Sequence, residues 1–269
     1  MLGTALRHRL ALFDLIIPEK HQLNVGNFEQ VSKLKDTKID FIIHLAAETD
    51  HEYCEENPSQ CYFINTIGTA NMVWLANEHF IPILYMSTGS VFDGKKGKPY
   101  TNEDEPNPIN HYNKSKYYGE VIVRQHPKHY IVRAGWMFGG GPDLDKKFVN
   151  KIIQKINQGD KRIEVAEDCI GSPTYTDDLA EAIYRVIHLG CDYGTYHCVN
   201  YDGISRYEFA KGIIEILGIE NRVEIVPVKI DSLKSEFPCK RTNYEVLQSD
   251  WNMSHWKEAL REYIESEYR

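Results

Sequence analysis

Short apolar runs alternate with stretches of helical periodicity along most of the chain, the pattern of a parallel sheet whose strands are joined by helices. Ile39-Asp40-Phe41-Ile42-Ile43-His44-Leu45 reads as a buried strand, and Pro58 to Glu78 as a helix with Phe63, Ile67, Ala70 and Trp74 near one face. Pro82 to Ser87 is the next strand and ends in the polar run Thr88-Gly89-Ser90. A helix over His111 to Gln125, a strand over Tyr130 to Ala134 and a helix over Lys147 to Asn157 follow. The last of these carries Phe148, Ile152, Ile153 and Ile156 at helical spacing. The pattern then predicts a helix over Thr176–Leu189, a strand over Thr195–Asn200, a helix over Ser205–Leu217 and a C-terminal helix from about Ser254. The fold class is α/β, a doubly wound parallel sheet with a smaller α+β unit beside it.

The beginning of the pattern is unusual. Met1-Leu2-Gly3-Thr4-Ala5-Leu6 reads as the opening of a helix, and Phe13-Asp14-Leu15-Ile16-Ile17 as the strand after it. In a doubly wound nucleotide-binding fold that helix follows a strand and a glycine-rich turn, which set phosphates at the helix N-terminus. Here Gly3 alone stands where the last glycine of such a turn would be.

Composition narrows the partners. The 269 residues, 42% hydrophobic and 26% charged, are enough to bury a full core. A net charge of −8 argues against a nucleic-acid groove or an anionic membrane surface. An anionic ligand would have to be held by local cations. No apolar run reaches the roughly 18–20 residues of a membrane helix, and the start lacks a signal-peptide layout. The cysteines at 54, 61, 169, 191, 198 and 239 are scattered and form no CxxC pair. They suit a reduced, cytoplasmic setting and argue against a zinc site or a disulfide framework. Scattered carboxylates give no ground for a bound divalent ion either.

The run Tyr112-Asn113-Lys114-Ser115-Lys116 carries the first chemical signal. Tyr112 and Lys116 lie one helical turn apart on a shared face. An ammonium beside a phenol favours the phenolate and lowers the tyrosine pKa from about 10. Such a tyrosine exchanges a proton with a carbonyl oxygen near neutral pH. Thr88 ends a buried strand, where open α/β sheets place their ligands, and its hydroxyl can orient the same oxygen. Leu45-Ala46-Ala47 ends the preceding strand with small side chains, which permit either close packing or a cofactor's approach to the backbone. Asn65 and Thr66 follow in the next helix.

These residues resemble a known family. The run Ser87-Thr88-Gly89-Ser90-Val91-Phe92-Asp93-Gly94, then Pro99-Tyr100, Glu103 to Pro108, Tyr112 with Lys116, and Gly119-Glu120 is similar to the extended short-chain dehydrogenase/reductases, in the branch of the dTDP-4-dehydrorhamnose reductases. The likeness continues through Arg133-Ala134-Gly135-Trp136-Met137-Phe138-Gly139, Gly171 to Tyr175, Asp178-Leu179-Ala180, Arg241-Thr242-Asn243 and Trp256 to Leu260, nearly the whole chain. It implies reduction, with NADPH or NADH, of the C4 ketone of a 4-keto-6-deoxy sugar on a nucleoside diphosphate, for surface polysaccharide synthesis. Thr88, Tyr112 and Lys116 match the family's catalytic residues. Tyr112 would protonate the ketone oxygen, and Lys116 would hold the nicotinamide ribose. Ala46, Ala47, Thr66 and Arg133 neighbour the positions that line the cofactor or its strand ends, and Gly3, in place of the turn's last glycine, would also meet it. Trp136 matches an aromatic that packs on the sugar nucleotide, or else a core tryptophan. Arg241 and Asn243 match a C-terminal segment that approaches it, and a guanidinium suits a diphosphate. Residues 1–140 plus about 171–195 would form the dinucleotide-binding domain, and 141–170 plus 196–269 the substrate domain. A homodimer is compatible with this reading.

The departures from the pattern are local. Rhamnose-forming enzymes typically read Ser-Thr-Asp-Tyr-Val-Phe, where this chain has Gly89 and Ser90. Gly89-Ser90 also lacks the acidic pair that follows the threonine in sugar-nucleotide dehydratases, which disfavours dehydration. Asp93 and Gly94 are expected to form a turn, Glu103 to Glu105 a solvated loop, and His44 a hydrogen-bonded strand end. Glu19 and Lys20 give opposite indications on NAD against NADP. An alternative is a non-catalytic regulatory subunit of the same fold that binds sugar nucleotide or NAD(P). A subunit of methionine adenosyltransferase resembles this branch in that way.

Overall fold

The computed structural model describes residues 1–233 and 239–269. Residues 234–238, within the expected substrate domain, lie outside the described residues. The main sheet has four parallel strands in the order Ile42–His44, Ile83–Thr88, His129–Ala134 and Gly194–His197. Successive side chains of a strand point to opposite faces, so a strand buried on both sides reads as an unbroken apolar run. Leu84, Met86, Tyr130 and Val132 face one layer, where they pack with Leu2, Leu6, Leu179 and Ile183. Ile83, Tyr85 and Ile131 face the other, with Met72, Leu75 and Val123. The helices Leu2–Arg9 and Thr176–His188 thus cover one face, and Gly68–His79 and His111–Val123 the other.

A second core gathers Phe138, Ile152, Ile163, Phe209, Ile213, Leu260 and Tyr263. Around it lie the helices Phe148–Asn157, Arg206–Leu217 and Trp256–Glu267. Three small sheets accompany them: Arg162–Ala166 with Glu224–Val228, Trp136–Phe138 with Pro173–Tyr175, and Ile170–Gly171 between Ile204–Ser205 and Tyr244–Glu245.

Two expectations change. Phe13–Ile17 forms no strand but irregular chain, with Phe13, Ile16 and Ile17 about half exposed. An apolar run becomes a strand only where a neighbour accepts its backbone hydrogen bonds, and among the described residues Ile42–His44 pairs with Ile83–Thr88 alone. The helix expected over Pro58–Glu78 is broken into Pro58–Tyr62, a π-helical stretch Phe63–Ile67 and Gly68–His79. That wider turn is where Asn65 points inward.

Candidate active site

Thr88 is the last residue of its strand, and Tyr112 and Lys116 lie on the first two turns of the helix beside it. Sequence sets this helix firmly. Asn110 caps it, its side chain accepting from Asn113 N at 2.8 Å. Gly119 brings it close to the sheet: a Cβ there would stand 2.2 Å from the Tyr85 hydroxyl. Glu120, wholly buried, then reaches the sheet itself. It accepts from Ser87 Oγ at 2.6 Å and from Arg133 Nε and Nη2 at 2.9 and 2.7 Å, and Arg124 adds a further bond. Arg133 therefore ties helix to sheet from full burial.

Asn65 fixes the opposite side. Its amide exchanges hydrogen bonds with the Glu48 backbone (2.8 and 2.9 Å) and donates to Ser115 Oγ at 2.9 Å. The loop after Ile42–His44 is thereby pinned to the helix that carries Tyr112. Thr66 adds a bond from its hydroxyl to Ser115 O at 3.0 Å, so its oxygen braces the helix. Ala46 is exposed and Ala47 half-buried on that loop, and Gly3 is exposed on the first turn of Leu2–Arg9, near the Leu45 side chain. His44 donates to or accepts from Thr69 Oγ1 at 3.1 Å, a satisfied strand-end histidine. Asp93 organises a turn through Lys95 N, Tyr100 and Asn107.

Tyr112 is 8% exposed and Lys116 3%. Burial holds the Tyr112 phenol well above its usual range, with the Thr88 hydroxyl partly opposing the shift. The expected lowering by lysine is absent, and the Lys116 ammonium lies over the Tyr85 ring, 4.1 Å from its centroid. Burial pushes Lys116 down to about 7 against the attraction of Glu120. Among the described residues no hydrogen-bond partner for this ammonium is present. A buried donor of this kind fits a ribose hydroxyl, and the small residues Ala46 and Ala47 leave their strand end open, so the residues present fit a dinucleotide here.

Around Tyr112 gather polar and charged groups from several segments of the chain. His51 packs on the Tyr112 ring, centroids 4.3 Å apart. It is pushed down to about 3 by burial, then by Arg241 and Lys147 and more weakly by Arg206. Arg241, Lys147 and Arg206 thus act on one histidine against Asp50, local cations of the kind an acidic protein needs to hold an anion. Arg241 forms a bidentate pair with Glu52 at 2.7 and 2.8 Å. Trp136 is half-buried and lies over Gly171, where a Cβ would come within 2.4 Å of its ring. The Arg206 guanidinium covers that ring at 3.5 Å, and the indole N–H donates to Glu245. Asn243 is exposed and contributes its carbonyl to Ile170 N at 2.8 Å.

His51, Lys147, Arg206 and Glu245 escaped the sequence reading. Glu245 had a signal, since it sits inside the segment already marked by Arg241 and Asn243. Arg206 had none, being the first residue after the Ser205 cap of a helix distant in sequence.

A threonine, tyrosine and lysine gathered at the C-terminal ends of a parallel sheet define the short-chain dehydrogenase/reductase class. The chain belongs, more narrowly, to the RmlD substrate binding domain family, whose profile matches residues 1–269. It is 32% identical over 261 residues to the spore coat polysaccharide biosynthesis protein SpsK of Bacillus subtilis, covering 94% of this chain and 89% of that one. The structure is similar to a dTDP-4-dehydrorhamnose reductase from Clostridium acetobutylicum (TM-score 0.90, 34% identity, 98% of this chain and 95% of that one). It is also similar to a dTDP-4-dehydrorhamnose reductase from Bacillus anthracis in complex with NADP (TM-score 0.91, 32% identity, 98% and 95%).

Proposed function

We propose that this chain reduces the C4 ketone of a nucleotide-linked 4-keto-6-deoxy sugar, with NADPH or NADH as reductant. The observation that carries the reading is the juxtaposition of Thr88 and Tyr112 with a buried Lys116 ammonium that has no hydrogen-bond partner among the described residues. A bound nicotinamide supplies the hydride. Lys116 holds the ribose, with Gly3, Ala46 and Ala47 along the rest of the cofactor and Thr66 bracing the helix behind it. Thr88 hydrogen-bonds the ketone oxygen and fixes its direction. Tyr112, protonated throughout the neutral range, donates its proton to that oxygen as the alcohol forms. Trp136 presents its ring to the sugar nucleotide, and Arg241, with Arg206 and Lys147, draws in the diphosphate. Asn243 lies at the edge of the same surface.

Residues 1–140 and 171–195 serve the cofactor in this reading, and 141–170 and 196–269 the sugar. No helix among the described residues is long and apolar enough to cross a membrane. A cytoplasmic setting keeps cysteines such as the six free ones here reduced.

The test is Tyr112→Phe, assayed with NADPH or NADH and dTDP-4-dehydrorhamnose by loss of the reduced nicotinamide. Removing the general acid should lower kcat by roughly a hundred- to ten-thousand-fold while cofactor affinity stays within a few-fold. Unchanged turnover removes Tyr112 from the reaction. A natural chain that binds both ligands and turns over neither overturns the reductase reading in favour of a regulatory subunit.

A further inference from the structure

Glu245 is not explained by the reaction just described. It ends the short strand Tyr244–Glu245, which pairs with Ile170–Gly171. Its two oxygens each accept one hydrogen bond, Oε1 from the indole of Trp136 and Oε2 from Ser90 Oγ at 2.6 Å. Ser90 is two residues beyond Thr88, and its own backbone N–H donates to Thr88 Oγ1 at 3.2 Å. The carboxylate is therefore joined through one serine to the hydroxyl that faces Tyr112, and its charge is felt at the Tyr112 phenol. The neighbouring backbone fits the same way: a Cβ at Gly89 would press on Leu247 at 3.2 Å, so Gly89-Ser90 and Glu245 to Leu247 are complementary surfaces.

A carboxylate has about four acceptor positions, and the bonds from Ser90 and Trp136 use two of those of Glu245. The residue is half-buried, held beside Trp136 and Ser90 and near enough to Tyr112 for its charge to be felt there. Placing a carboxylate there without donors is costly, and each further donor lowers that cost. The sugar supplies such donors in its ring hydroxyls, while the reacting ketone and the C6 methyl group supply none. Arg206 over the Trp136 ring balances the charge, which leaves the carboxylate free to discriminate by hydrogen bonding.

We infer that Glu245 is the sugar-selecting residue of the cleft: held by Ser90 and Trp136, its carboxylate accepts a hydrogen bond from a sugar hydroxyl adjacent to the reacting carbon. This rests on the reading of the cleft as a nucleotide-sugar site. A site built to bond a hydroxyl penalises its absence far more than a site that merely surrounds it.

The experiment compares binding of dTDP and dTDP-rhamnose to the natural chain, to Glu245→Gln and to Ser90→Ala by titration calorimetry, which needs no turnover. The natural chain should gain affinity from the rhamnosyl group. Glu245→Gln should lose roughly ten-fold or more of that gain with dTDP affinity unchanged, and Ser90→Ala should lose a smaller part. The glutamine is isosteric, and an unchanged melting temperature shows that the cleft is intact. No rhamnosyl gain in the natural chain, or the same gain in Glu245→Gln, overturns the assignment. If the natural chain reduces no 4-keto sugar but Glu245→Gln still loses the rhamnosyl gain, the reductase reading falls and the sugar-selecting role stands.

Discussion

Lys116 shows how burial rewrites what a motif suggests. Residue spacing correctly placed Tyr112 and Lys116 on one helical face, but spacing cannot tell which aromatic ring the ammonium will cover. It covers Tyr85, and the lysine itself is the group poised to titrate, at about 7. A cofactor that bonds the charged ammonium raises this pKa on binding. Above about pH 7 the free site must first take up a proton, so affinity should fall by up to about ten-fold per pH unit. Calorimetry with NADH at about pH 8, in buffers of different ionisation enthalpy, should register that uptake. Lys116→Ala should bind more weakly with no such uptake, and an identical pH dependence in the variant would show that the lysine does not meet the ligand. Trp136 was similarly only half legible. Its position after a strand was readable, whereas its contacts with Arg206 and Glu245 come from segments that only the fold brings together.

Among the elements, the helix His111–Val123 was the most readable and Phe13–Ile17 the least. The helix was legible from local sequence alone, read over His111 to Gln125 and found over His111–Val123. A lone apolar run carries no statement of its partner, so Phe13–Ile17 resembles a strand yet pairs with none among the described residues. The π stretch Phe63–Ile67 leaves no local signature either, because it serves the long-range bonds of Asn65. The tie between helix and sheet at Glu120 sets a measurable cost. Glu120→Ala would leave Arg133, which is 0% exposed, without its counter-charge. Removing one partner of a buried pair costs about 3–5 kcal/mol. Guanidinium unfolding should show this loss, together with reduced turnover as the helix bearing Tyr112 shifts. A cost below about 1 kcal/mol would mean that Arg133 finds another partner.

For the molecule as a whole, the buried histidines dominate the response to acid. Burial holds His44 and His51 down to about 3 and His197 to about 4. Unfolded, each protonates near 6.5, so unfolding takes up protons between those values and stability present above about pH 6.5 is lost as pH falls toward 4. Near pH 5 the three together amount to about 4 kcal/mol per pH unit. Lys116 acts in the same direction at higher pH, since its folded value of about 7 lies below its unfolded value of 10.5. Stability should therefore climb from about pH 5 into the mildly alkaline range. Denaturation midpoints across that range check it, and a flat profile below pH 7 would contradict the histidine assignment.

The cap at Asn110 has a consequence of another kind. Its oxygen accepts from Asn113 N, while its amide nitrogen donates to Lys240 O at 2.9 Å, just ahead of the segment that carries Arg241 and Glu245. One side chain thus closes both the start of the tyrosine helix and the approach of the C-terminal segment. Lifting that segment to admit or release a ligand pulls on the group that shelters the Asn113 amide. Hydrogen–deuterium exchange at Asn113 would then report on the C-terminal segment, and should slow when a ligand holds that segment in place.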